Sequence, residues 1–351
     1  MDQYDTVEAV AALGVQDPEL AEYLKSEEGQ NNPMVAMSFK DMVKNAPSFT
    51  VPVPPITEYE YPLDIYVRDG YRIGSNVFKP QNQSSHSPLV VLIHGGGFCM
   101  GEPLHLMAYA RTTAELYGAV VVSISYRLAL QFKFPAAFDD VLDCLLWLTS
   151  AAAVQSLGYS ASAGFVVGGV SAGANLAAAA AQQWVTEKMS PPLTGLWLSI
   201  PSVLNEDIVP SEWRHLWISR EQNANSMIIN KAAMDYIDAN YQQDFRSPKY
   251  SPFNAPDPHT GLPPTYIQVC GQDLLRDDGL IYEKALRANG VTTKLDVFPG
   301  VPHGWNGIFP TLNSSQRSQI DTMKGFGWVL GKDASEQEIS KAWAQATAPS
   351  S

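Results

Sequence analysis

Residues 168–175 read Gly-Gly-Val-Ser-Ala-Gly-Ala-Asn, between an apolar run of β-formers ending at Val170 and an alanine-rich segment that favours helix. A serine at the tip of a strand-to-helix turn projects out of a sheet only where the backbone bends sharply, and that bend needs small neighbours. Gly169, Ala172, Gly173 and Ala174 leave that room. Ser171 is thus the candidate nucleophile, at the start of a helix whose positive end favours developing negative charge. The pentapeptide Gly169-Val-Ser-Ala-Gly173 also fits a plain glycine turn, and its strand and helix flanks favour the chemical reading.

Outward from this turn, short apolar runs alternate with helical stretches. Strands are expected at Pro88–Ile93, Ala119–Ile124, Phe165–Val170, Leu196–Ile200, Thr265–Cys270 and Thr293–Phe298. Helices are expected over 104–117, 135–153, 172–188, 280–289 and 315–330. A hairpin, Leu63–Val67 and Ile73–Phe78 around Asp69-Gly70, brings the sheet to about eight strands. This alternation predicts an α/β protein with a mainly parallel sheet and helices on both faces. Two regions break the rhythm. Residues 1–55 end in the proline-rich Val51-Pro-Val-Pro-Pro55, and residues 203–250 form a long insertion holding Trp213, Trp217 and the periodic segment Asn230–Tyr241. Both are expected to form a helical cap over the carboxyl ends of the strands, where open α/β sheets place ligands. The α/β domain then comprises 56–202 and 251–335, with 336–351 as a C-terminal tail.

A serine hydroxyl needs a base, and an attacked carbonyl needs donors for its oxyanion. After the strand ending at Ile93 come His94-Gly-Gly-Gly-Phe98, whose consecutive glycines leave backbone N–H groups open to a substrate oxygen. A dinucleotide fingerprint is excluded there, because its third glycine would fall on Met100, and no Walker lysine is present. His303 follows the strand ending at Phe298 and is the candidate base; His259 precedes a strand instead of following one. Asp273, after the strand ending at Cys270, is preferred as the acid. Asp277 and Asp278 read as first-turn helix residues favoured by the helix dipole, and Asp296 as one side of a strand.

The chain has 351 residues and a net charge of -13, which argues against nucleic-acid and anionic-membrane partners. No stretch approaches the length of a spanning helix, and the acidic start does not resemble a secretory leader. Three cysteines, Cys99, Cys144 and Cys270, cannot all pair and point to buried thiols in a reducing, cytoplasmic setting.

Taken together, His94–Phe98, Tyr126-Arg-Leu-Ala129, Gly169–Gly173, the stretch Asp273–Gly279 and His303-Gly-Trp305 resemble the hormone-sensitive lipase family of carboxylesterases with the α/β-hydrolase fold, over about residues 60–330. The resemblance implies Ser171 as nucleophile, His303 as general base and then acid, and Asp273 as its orienter. Gly96, Gly97 and Ala172 would supply oxyanion-hole amides, with Gly95 shaping the loop and His94 bracing it. It also implies that no metal or organic cofactor is needed and that the partner is a small ester, and many members of that family are homodimers. Val170 and Leu274 depart from residues common in bacterial members and leave the subfamily open. Phe98, Met100, Trp213, Trp217 and Trp305 are the candidate substrate-binding side chains, each tryptophan being equally compatible with core packing. The expected reaction is hydrolysis of short-chain or acetyl esters of small hydrophobic molecules through an acyl-enzyme. Two other uses of the pocket stay open: elimination or cyclisation on a natural product, and small-molecule reception. The presence of His303 argues against the latter.

Overall fold

The computed structural model describes residues 3–49 and 51–348. The apolar runs become strands because each is covered on both sides. In Leu89-Val-Val-Leu-Ile93 every residue is fully buried, and alternate side chains enter different layers. Val90 and Leu92 pack with Tyr117, Phe326 and Val329, whereas Val91 and Ile93 join Val141, Leu145, Leu176 and Ile281.

Eight strands result: β1 Glu60–Tyr66, β2 Arg72–Phe78, β3 Leu89–Ile93, β4 Val120–Ile124, β5 Phe165–Val170, β6 Gly195–Ser199, β7 Thr265–Cys270 and β8 Thr293–Phe298. Their order is β1-β2-β4-β3-β5-β6-β7-β8, with β2 antiparallel to both neighbours and all later pairings parallel. Helices 107–117 and 313–330 cover one face; helices 136–148, 172–186 and 276–288 cover the other. The register sets up the site. Ile93 lies beside Gly169, and Cys270 beside Phe298, so the loops after β3 and β5 meet, as do those after β7 and β8.

The cap is built from short pieces. Five N-terminal helices between Val7 and Asn45 each begin at a side chain that accepts a backbone N–H, namely Thr6, Asp17, Ser26, Asn32 and Ser38. Helix Lys231–Tyr241 starts likewise at Asn230. Both parts are sewn to the strand ends. Gly300 N–H donates to Leu13 O at 2.8 Å and Gln272 Nε2 to Gly14 O at 3.2 Å.

Two expectations change. The stretch 135–153 is not one helix, because the Ser150 hydroxyl accepts the Ala153 N–H and starts a second helix, Ala151–Leu157, after Ala136–Leu148. The segment expected as a tail folds as helix Glu336–Thr347, started by a reciprocal Ser335–Glu338 cap, and buries Ile339, Ala342 and Ala346.

Candidate active site

Ser171 sits between β5 and helix Ala172–Thr186 with φ 55 and ψ -118, a backbone state that costs a non-glycine residue about 1–3 kcal/mol. The small neighbours are obligatory. A Cβ on Gly169 would lie 2.4 Å from the Gly173 carbonyl, and one on Gly173 would lie 2.1 Å from Ile93 O. Helix and strand therefore touch backbone to backbone, and the serine side chain is driven outward over the strand ends.

Three loops converge on it. His303 Nε2 lies 2.8 Å from Ser171 Oγ, and His303 Nδ1 lies 2.7 Å from Asp273 Oδ2. With Nδ1–H donated to the carboxylate, Nε2 is left as the acceptor of the serine proton. Asp273 is itself fully buried and oriented, since its Oδ1 accepts the Leu275 N–H at 2.8 Å. The insertion holds this loop from above: Asn223 Nδ2 donates to Asp273 O at 2.8 Å and to Gly271 O at 3.2 Å, while Ser226 Oγ donates to Gln272 O.

Opposite stands the glycine loop. Gly96 and Gly97 have φ of 114 and 57, and a Cβ on Gly97 would meet Phe39 at 2.6 Å and Ile237 at 2.7 Å. Among the described residues the N–H groups of Gly96, Gly97 and Ala172 donate to no protein acceptor. His94 braces this loop. Its Nδ1–H donates to Gly95 O at 2.8 Å, Nε2 accepts from Ser125 Oγ at 3.2 Å, and its ring stacks on Tyr126. Burial pushes its imidazole down to about 4, so it stays neutral while it braces.

The cavity over Ser171 is small, with free space of about 20 Å³, and is lined by Phe98, Ala172, Ile229, Met234, Ile237 and Leu275 with a few polar groups. Phe98 is thus in the wall, stacked on Tyr241 at 4.0 Å. Met100, Trp213, Trp217 and Trp305 stand outside the lining of this cavity. Met100 packs behind the glycine loop. Trp305 lies under the histidine loop, against Phe298 with its indole N–H on Ser314 Oγ. Trp217 gives its N–H to Asp278, and Trp213 packs at the outer rim near Lys284 and Arg287. Trp305 is buried, while Trp213 and Trp217 lie half-buried against the core. Met234 and Ile237 were missed as lining residues, although they are the apolar stripe of the periodic segment 230–241.

Asp277 and Asp278 are in a first helical turn, as expected, but the dipole is not their main partner. Both are fully buried. Asp277 Oδ2 accepts the N–H groups of Ile218 and Ser219; Asp278 Oδ2 accepts those of Val203 and Leu204, and its carboxylate pairs with Arg220 at 2.9 Å. They anchor the insertion. Asp296 instead accepts from Tyr266 Oη at 2.6 Å. Among the described residues no cluster of three or more His, Cys, Asp or Glu could hold a metal ion, and no helix is long and apolar enough to cross a membrane.

An eight-stranded sheet of this order, with a serine, a histidine and an aspartate brought together on loops after β5, β8 and β7, defines the class of α/β hydrolases. The chain belongs to that family: a profile of the alpha/beta hydrolase fold matches residues 90–307. An AB hydrolase superfamily protein of Schizosaccharomyces pombe is 33% identical over 92% of this chain and 96% of its own length. A versiconal hemiacetal acetate esterase of Dothistroma septosporum is 28% identical over 80% of this chain and 84% of its own. Among solved structures, that of vibralactone cyclase superposes with a TM-score of 0.76 at 26% identity, covering 91% of this chain and 96% of its own.

Proposed function

We propose that the protein is a serine carboxylesterase of the hormone-sensitive lipase type, acting on short-chain or acetyl esters of small hydrophobic molecules through an acyl-enzyme. The observation that carries this reading is the unbroken chain Ser171 Oγ, His303, Asp273, with contacts of 2.8 and 2.7 Å. In it, Nε2 of His303 takes the serine proton as Oγ attacks the ester carbonyl. The oxyanion would be held by the N–H groups of Gly96, Gly97 and Ala172, which have no competing protein acceptor among the described residues. His303 then protonates the leaving alcohol, and water, deprotonated by the same Nε2, releases the acid. Short substrates suit the narrow, mostly apolar cavity, and the similarity to an acetate esterase supports an acetyl or comparably small acyl group.

The test is release of p-nitrophenol from p-nitrophenyl acetate and butyrate beside a Ser171→Ala variant. Release by the parent that disappears in the variant is the expected result; equal release by both refutes the reading. A second reading is favoured by the likeness to a cyclase. There the acyl group on Ser171 is captured by a hydroxyl of its own substrate in place of water, so a fluorophosphonate probe would label Ser171 although simple esters turn over poorly.

A further inference from the structure

Most of the wall over Ser171 is apolar, yet an acidic and an amide side chain, Asp238 and Gln243, stand in it. Helix Lys231–Tyr241 turns Met234 and Ile237 to the cavity, and with them Asp238, one turn on from Met234. The chain leaves the helix through Gln242 at φ 55, which brings Gln243 to the same wall. Gln243 Nε2 donates to Asp238 Oδ1 at 2.6 Å. That bond fixes the amide, because the reverse orientation would set its oxygen against a carboxylate oxygen. Gln243 Oε1 is thereby left buried with no partner among the described residues.

Stability does not account for this pair. An acidic side chain in the last turn of a helix opposes the helix dipole. Asp238 forms no ion pair among the described residues, the nearby Arg220 being engaged by Asp278 at 2.9 Å. Burial raises the Asp238 carboxyl above its ordinary range, the mark of a polar group in an unfavourable place. An apolar residue at either position would complete the stripe of Met234 and Ile237.

Among the described residues no donor reaches Gln243 Oε1. Asn175 gives both amide hydrogens to Ser202 O and Tyr250 O, and the Ser202 and Tyr250 hydroxyls lie 3.4 Å from each other. What the wall lacks is a donor supplied by a ligand. A cation is disfavoured by the surrounding Phe98, Ile229 and Leu275, which offer it no solvation. A neutral O–H donates its single hydrogen to one of the two, Gln243 Oε1 or the Asp238 carboxylate.

We propose that Asp238 and Gln243 form a receptor for a hydroxyl group of the substrate, so that the preferred ester carries an alcohol or phenol outside the ester bond. This rests on the esterase reading above and narrows its substrate class. Its test compares esters in matched pairs: p-nitrophenyl butyrate with p-nitrophenyl 3-hydroxybutyrate, and 1-naphthyl acetate with 5-hydroxy-1-naphthyl acetate. At least one pair should favour the hydroxylated member by about tenfold or more in kcat/KM, since buried acceptors left unpaired discriminate against the analogue lacking the group. The ratio should drop several-fold in Gln243→Met and in the more conservative Asp238→Asn. Ratios within about twofold for both pairs in the parent, or a preference indifferent to both substitutions, overturn the proposal. Binding of the same four esters to Ser171→Ala by calorimetry separates the two readings. If no ester turns over but the hydroxylated members still bind more tightly, the esterase reading falls and the hydroxyl receptor stands.

Discussion

The loops that carry the reacting groups and the cap that encloses them are built by different physics. Ser171, Asp273 and His303 are held by the sheet: each follows a parallel strand, and the pairing of Ile93 with Gly169 and Cys270 with Phe298 sets their loops side by side. The cap has no such frame. Its irregular segments are fixed one bond at a time, by Asp277 and Asp278 gripping backbone N–H groups and by Asn223 and Ser226 reaching down to the loop of Asp273. Backbone geometry thus positions the chemistry, while individual side chains shape the space in which a substrate fits.

That contrast can be broken by substitution, beginning with the groups that react. Ser171→Ala should lower kcat on p-nitrophenyl butyrate by about 10⁶-fold while the melting temperature hardly changes, if the side chain attacks the ester as proposed and does not serve packing. A large loss of stability would show that the elbow depends on its serine. Asp273→Asn should cost about 10⁴-fold through the wrong histidine tautomer, with KM little altered. Gly97→Ala tests the meeting of the two regions, since its Cβ would strike Phe39 and Ile237 of the cap at a positive φ. A loss of about 10²- to 10³-fold in kcat is expected as the oxyanion donors shift.

Two histidines of the frame carry an acid sensitivity. Burial pushes His94 and His259 down to about 4. Unfolded, each titrates near ~6.5, so the stability they lend is full above about pH 6.5 and is lost as pH falls towards 4, on the order of 3 kcal/mol for each. Melting temperatures from pH 8 to 4 should fall across that window, and His259→Phe should flatten the slope. The smallest effect is expected at the seam. Asn223→Ala removes the bonds to Gly271 O and Asp273 O and should cost about 1–3 kcal/mol of stability, with a kcat loss of about tenfold as Asp273 moves.

The same contrast explains what could be read from residues alone. The β-runs, the glycines around Ser171 and the order Ser171, Asp273, His303 were legible because each obeys a local rule: continuous apolarity for a doubly covered strand, small residues at a sharp bend, a loop after each strand. The tryptophans were ambiguous because aromatic residues near a predicted opening are as useful to a core as to a pocket, and Trp305 and Trp217 both found internal partners for their indole N–H. Asp277 and Asp278 obeyed a helix-start rule, which hid their grip on backbone 58 to 75 positions away. Tertiary partners of that kind leave no periodic trace. The segment 230–241 did leave one, and its apolar stripe at Met234 and Ile237 was a usable pointer to the wall.

The tightness of the chamber over Ser171 bears on tempo. A space of about 20 Å³ admits roughly one water, so an ester is expected to need the wall of Phe98, Met234 and Ile237 to give way as it enters. Encounter would then be paced by how often that wall opens, and apparent on-rates should climb when helix Lys231–Tyr241 is loosened. Timing would join shape in choosing the substrate.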